Sequence, residues 1–257
     1  MILSRRVALG GVQLDELDAS IVIRSVDPGI TRENVSTVNR MGGSGQRVTS
    51  RHWEAIEANV GFAIDLPKTM PEERRAVYEK AMAWAARKGW LALGHMTGKR
   101  LYVDQVIYPS SGDPRAWTDE FTLTFRALNV PFWQDEAETS ATARVSSGQI
   151  LLEVPGNAET VLDITAENIS GMTIPDFKVA AGKSSIELKG VNLGGSETLT
   201  IRHGTDGLLQ MKAGSRNVYS LYTGSDDLFV SPGNIRVNIT SKRAVKVTAS
   251  CFGRWIG

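Results

Sequence analysis

The stretch Asn129-Val130-Pro131-Phe132-Trp133-Gln134-Asp135-Glu136 separates two kinds of sequence. On its N-terminal side, short β-branched runs are mixed with one amphipathic helical segment. On its C-terminal side, strand-like runs and turns continue to the end, and no segment reads as a helix. Such a change of pattern at a proline-aromatic junction predicts two packed modules, with Pro131, Phe132 and Trp133 at the inter-domain contact. The expected division is 1–130, a linker over 131–140, and 141–257.

Working back from the junction, Trp117 to Leu128 alternates cleanly. Phe121, Leu123 and Phe125 share one face, and Glu120, Thr122, Thr124 and Arg126 the other. A turn through Ser110-Ser111-Gly112-Asp113-Pro114 links it to a strand over Arg100 to Tyr108, and Trp90 to Leu93 is a further strand. Pro71 to Lys88 is the helix. Pro71 suits its first turn, Glu72 and Glu73 its positive end, and Arg87 and Lys88 its negative end, with Gly89 as the stop. Val77, Tyr78, Ala81, Trp84 and Ala85 form its apolar stripe, read as core. Ser20 to Val26 is a strand closed by Pro28-Gly29. Between them, Val35 to Met41 and Gln46 to Leu66 flank Gly42-Gly43-Ser44-Gly45, and the part from Gln46 to Ala58 is too polar to be core. A hairpin projecting from its domain fits, with a solvated loop as the plain alternative. The first module is therefore α+β and mostly antiparallel.

Beyond Ala141, short apolar runs recur at sandwich-like spacing, from Gln149 to Val154 through Ile235 to Thr240 and Val245 to Ser250. Turns such as Pro155-Gly156-Asn157, Gly194-Gly195 and Gly204-Thr205-Asp206-Gly207 separate them. The whole chain is expected to be mainly β with one helix, an N-terminal α+β domain followed by a β-sandwich.

The chain has 257 residues, 42% hydrophobic and 22% charged, with a formal net charge of +1. That balance gives no basis for polyanion binding or a basic membrane patch. One cysteine, Cys251, excludes an intrachain disulfide, and its place beside Phe252 suggests a buried, inert thiol. No apolar run reaches the ~20 residues of a membrane span, and the start lacks a signal-peptide core, so the expectation is a soluble chain made in a cytoplasm. Three sequons, at Asn34, Asn168 and Asn238, are short enough to arise by chance.

Catalytic patterns do not assemble. Ala180-Ala181-Gly182-Lys183-Ser184 has the tail of a phosphate-binding loop but lacks its leading glycine, where Phe177 stands, and no helix follows. A hairpin turn is expected there instead. His52, His95 and His203 are far apart and lack metal-ligand spacing. Acid pairs Asp119-Glu120 and Asp226-Asp227 are sequence neighbours, which on a strand point to opposite faces. No enzyme, cofactor or metal is expected.

The order of parts resembles the distal tail protein family of long-tailed bacteriophages. The elements that carry the resemblance are the tip Met41-Gly42-Gly43-Ser44-Gly45, the strand ending Phe62-Ala63-Ile64-Asp65, and the helix headed Glu72-Glu73-Arg74-Arg75. Arg100-Leu101-Tyr102, the run from Phe121 into Val130-Pro131-Phe132-Trp133, and the late turn Ser231-Pro232-Gly233-Asn234 complete it. The resemblance covers nearly the whole chain, and its C-terminal part is similar to that family's galectin-like sandwich. It implies a homohexameric ring at the virion tail tip, assembled in the host cytoplasm and joining the tail tube protein to a tail-associated hub or fibre protein. DNA would be a passenger in transit, with no specific nucleic-acid binding and no membrane partner. The hairpin residues Arg40, Met41, Gly42, Gly43, Ser44, Gly45, Gln46 and Arg47 would meet a neighbouring copy, because a head-to-tail ring needs an element that reaches across. The rival reading is a carbohydrate-binding sandwich acting in host-surface attachment, with Tyr219 and Tyr222 as its aromatic platform. An accessory domain of a surface enzyme is a third reading, and an enzyme proper the weakest.

Overall fold

The computed structural model describes residues 5–39, 46–109 and 120–257. Among these the chain is predominantly β with one α-helix, and every strand pairing with a described register is antiparallel. It divides into two compact units, Met1–Trp133 with Ile256–Gly257, and Gln134–Trp255.

The first unit contains a four-stranded sheet in the order Ile21–Asp27, Ile56–Ile64, Phe121–Ala127, Gln105–Ile107. Phe121, Leu123 and Phe125 turn into the core as their alternation predicts. A second sheet runs Val12–Gln13, Val7–Leu9, Gly89–Leu93, Lys99–Val103. The helix Pro71–Ala85 buries Val77, Ala81, Trp84 and Ala85. Trp84 links both sheets: its Nε1 donates to the Val12 carbonyl at 2.8 Å, and its ring stands edge-on to Phe125 at 5.9 Å. The predicted stripe is therefore core, with Tyr78 half-buried against Phe121. Arg74 is buried as well. Its Nη1 donates to the carbonyls of Ile64 and Leu66, which is how a guanidinium is accommodated beside an apolar stripe.

Several boundaries differ from the sequence reading. The helix stops at Ala85, so Arg87 and Lys88 lie beyond its last turn; Lys88 (φ 55°) and Gly89 (φ 104°) reverse the chain, and Gly89 opens the next strand. The expected strand from Arg100 to Tyr108 is two strands in different sheets, broken at Asp104. Its carboxylate accepts from the backbone N–H of Leu128 and of Asn129 at 2.7 and 3.1 Å, which ties the break to the chain just after Phe121–Ala127. Gln46 to Leu66 is likewise two strands, Gln46–Trp53 and Ile56–Ile64. The strand expected from Trp117 begins, among the described residues, at Phe121. Trp117, Asp119 and the turn Ser110 to Pro114 lie outside the described residues.

The second unit is built on one long strand, Gly233–Cys251, where the sequence predicts two short ones. Thr139–Val154 pairs along one side of it. On the other side, its first half pairs with Phe177–Ala181 and its second half with Asp163–Asn168. Each of these starts a branch. One runs through Ser184–Leu188 to Tyr222–Gly224, the other through Thr198–His203 and Leu209–Ala213 to Arg216–Asn217. The branches close on one apolar core that includes Phe177, Ile186, Leu199, Ile201 and Val247, a β-sandwich. A 3-10 turn at Tyr219–Leu221 is the one helical segment here among the described residues, in a stretch expected to be a strand. Gly182 (φ 57°) and Lys183 form the two-residue turn that brings Ala181 opposite Ser184, so this is a hairpin.

Candidate assembly interface

In the first unit, Glu33–Asn39 and Gln46–Trp53 pair with each other and belong to no larger sheet. Two-stranded ribbons are marginal alone, so the arm they form depends on how its base is held. The aromatic junction holds it. The N–H of Phe132 bonds back to the Val130 carbonyl at 2.8 Å around Pro131, a tight turn suited to proline's fixed φ. The buried Thr31 hydroxyl donates to the Pro131 carbonyl at 2.7 Å, and Trp133 Nε1 donates to the Pro28 carbonyl at 3.1 Å. Phe132 meets Trp53, the last residue of the arm, edge-on at 5.2 Å. Pro131, Phe132 and Trp133 are all buried, and these contacts are all made within the first unit. Gly29 completes the base: at φ 68° its N–H reaches Asp27 Oδ1, and a Cβ would lie 2.2 Å from the Glu57 carbonyl oxygen.

The arm has two different faces. Its register skips between Ser36 and Thr37, so that Thr49 is an extra residue, and Thr49 donates its hydroxyl to the Ser36 carbonyl at 3.0 Å. The skip moves Val48 onto the face that carries Val35 and Trp53. The result is an exposed apolar stripe, with Val35 39%, Val48 43% and Trp53 38% accessible. Arg51 and Glu33 flank it at 3.7 Å from each other. The opposite face, with Asn34, His52, Ser36 and Ser50, is polar apart from Val38. Beside the base lies an open cleft of about 790 Å³ lined by Asp27, Arg32, His52, Glu54, Glu57 and Arg126. Arg126 Nε stands 2.9 Å from Glu57 Oε1. Mixed charge and an apolar stripe suit contact with another protein surface.

Of the expected interface residues, Gln46 and Arg47 lie in the second strand of the arm, with Arg47 exposed. Arg40, Met41, Gly42, Gly43, Ser44 and Gly45 lie outside the described residues. The apolar stripe has no sequence signal, because Val35, Val48 and Trp53 come into line only through the bulge.

Elsewhere, no group of three or more His, Cys, Asp or Glu among the described residues could hold a metal. His203, isolated in the sequence, is enclosed between two carboxylates, with Nδ1 3.1 Å from Asp163 Oδ1 and Nε2 2.9 Å from Asp227 Oδ1. Nearby, burial lowers the pKa of Arg254 to about 10, opposed by the charges of Asp227 and Asp163. The cluster ties three segments of the sandwich together. Asp226, the other half of the acid pair, accepts from the Tyr222 hydroxyl. Cys251 is buried, and burial raises its thiol pKa to about 11. The sequon residue Asn168 is also buried, and its amide is fully used within the fold. No helix among the described residues is long and apolar enough to cross a membrane.

No protein-family model and no curated protein matches the chain. Solved structures do. The Dit protein of phage SPP1, described as a paradigm of the hub adsorption apparatus in phages infecting Gram-positive hosts, superimposes with a TM-score of 0.65. The match covers 95% of this chain and 97% of that one at 10% identity. Chains of the phage P2 baseplate in its activated conformation, with Ca and with Sr, match 90% of this chain at 8% and 9% identity, with TM-scores of 0.42 and 0.43. The chain thus has the fold of the SPP1 Dit protein across nearly its full length.

Proposed function

We propose that this chain is a structural component of a bacteriophage tail tip, a distal tail or baseplate hub protein. Copies assemble as a closed homohexameric ring between the tail tube protein and a tail-associated hub or fibre protein. The observation that carries the reading is the fold shared with a phage hub protein along almost the whole chain. The arm supports it further. A cyclic head-to-tail assembly needs a reaching element and a different surface to receive it, and an apolar stripe held on a rigid aromatic base fits the first of these. A net charge of +1 suits a conduit that passes DNA without gripping its phosphates. The chain's place is then the virion tail tip, after assembly in the host cytoplasm.

Light scattering coupled to size exclusion, followed by negative-stain imaging, tests this with the purified chain and a Val35→Asp, Val48→Asp variant. The wild type is expected to run as a ring, and the variant as a monomer that keeps the wild-type circular dichroism and a cooperative melting transition. A wild type that stays monomeric both alone and with its tail tube protein refutes the reading. The carbohydrate-binding alternative has one feature in its favour, the exposed Tyr219 paired with Tyr222 at 5.1 Å beside a groove of about 390 Å³. Glycan binding lost on Tyr219→Ala would move the assignment there.

A further inference from the structure

The sandwich manages two of its sheet edges in the usual way and leaves a third open. Its branches end in very short strands, Arg216–Asn217 and Tyr222–Gly224, and short edge strands discourage pairing with other chains. Thr139–Val154 is different. It pairs with Gly233–Cys251 along one side, and its other side pairs with no strand among the described residues. It has sixteen residues. From Thr139 to Leu152 it contains no proline, no lysine and no acid, and one charge, Arg144. Apart from Arg144, its exposed side chains over the first half, Ser140, Thr142 and Ser146, are small, so another backbone can approach within pairing distance. Ala141, Ala143 and Val145 on the inner face are only partly buried and would be covered by one more strand.

The charge indicates what that strand carries. Arg144 stands directly opposite Lys246, an unfavourable like-charge pair. Lys246 has Glu167 on its far side. Arg144 forms no ion pair among the described residues, and its outer side is the open edge. We propose that the Thr139–Val145 edge is a strand-addition site. It takes an extended segment of a different protein, β-branched or apolar on the face over Ala141 and Val145, with a carboxylate opposite Arg144. A second copy of the same edge is the poorer occupant, since from Thr139 to Leu152 it has no carboxylate to set opposite Arg144. The proposal rests on the edge alone and holds whether or not the chain forms a ring.

The probe is the acetylated, amidated heptapeptide TVEVTVT, with TVKVTVT as control, added to the full chain and read by fluorescence anisotropy and by amide hydrogen exchange. TVEVTVT is expected to bind and to slow exchange in residues 139–145, and TVKVTVT to bind about tenfold more weakly. Arg144→Glu, an exposed substitution expected to leave the melting temperature unchanged, reverses the order of the two peptides. No slowed exchange at about 1 mM peptide overturns the site, because binding weaker than that supports no specific contact. Affinity indifferent to both charge reversals overturns the acidic partner. Protection of the same segment that rises with protein concentration, without peptide, overturns the foreign strand in favour of a second copy.

Discussion

Asn168→Asp should destabilise the second unit strongly at neutral pH and much less in acid. Asn168 is 1% exposed. Its Nδ2 faces three carbonyl oxygens, those of Met172 at 2.7 Å and of Leu193 and Gly194 at 2.9 Å. Its Oδ1 accepts from the N–H and hydroxyl of Ser170. The substitution keeps the acceptor side and replaces the donor with an acceptor. The Leu193 and Gly194 carbonyls keep a second donor, Ile174 N–H and Glu197 N–H, while the single Ser170 hydroxyl hydrogen is shared between Oδ1 and the Met172 carbonyl. The loss is therefore two donated hydrogens at about 1 kcal/mol each, plus the cost of a buried carboxylate facing carbonyl dipoles. Together these come to roughly 3–4 kcal/mol at pH 7.

The acid side follows from linkage. Burial and the three carbonyls raise the introduced carboxyl's folded pKa above its unfolded value, and its protonated form restores one donor. The stabilising contribution is thus present below the unfolded pKa, near 4, and is lost as pH rises through the folded pKa. Thermal unfolding followed by circular dichroism at pH 4, 5.5 and 7 reads this directly, and about 3 °C per kcal/mol gives a fall of about 10 °C at pH 7. A deficit under about 1 kcal/mol at pH 7, well inside the spread of ordinary surface substitutions, or one that shrinks as pH rises, would refute the geometry.

Two further outcomes follow from the first unit. Asp18 is held at a pKa of about 2 by its hydrogen bonds to Lys80 and to Ser20. A lowered carboxylate pKa stabilises above the unfolded pKa, so Asp18→Asn should cost up to about 1 kcal/mol at pH 6, a cost lost as pH falls through about 2, seen as melting curves that converge in acid. Gly29→Ala should cost at least about 2 kcal/mol, because the new Cβ meets the Glu57 carbonyl at a left-handed backbone position; an unchanged denaturation midpoint would contradict the turn.

The fold class was legible wherever burial is one-sided. Phe121 to Phe125 alternates because one face is core, and the helix shows because Pro71, the acidic first turn and the Val77-Ala81-Trp84 stripe agree with one another. Arg74 stayed hidden: a buried arginine that donates to strand-end carbonyls looks, in sequence, like any surface cation. Thr139 to Gly148 gave no signal because neither face is fully buried, so backbone pairing with Gly233–Cys251 holds it without an apolar pattern. Ser241-Lys242-Arg243-Ala244, polar and charged, separates the two expected runs Ile235 to Thr240 and Val245 to Ser250, yet the chain passes through it as one bent strand. At the candidate interface, the aromatic junction was visible as composition, but its grip on Pro28 and Thr31 is a contact between residues about a hundred positions apart.

That bend explains how one strand serves two branches. Between Thr240 and Val245 the long strand has four intervening residues, while its partner has only Ser146 between Val145 and Ser147. The excess is three, an odd number, so one of the two strands must change which parity faces inward. The long strand does not: Val237 and Ile239 before the bend and Val245, Val247 and Ala249 after it are all odd-numbered and buried. The change falls on its partner, where inward positions pass from Ala141, Ala143 and Val145 to Ile150, Leu152 and Val154, and where Ser146 and Ser147 are both exposed. A pair of serines tolerates this, since neither needs burial. The central strand thereby keeps one continuous apolar face through the shift in register, and the two branches hydrogen-bonded to its halves contribute to a single core.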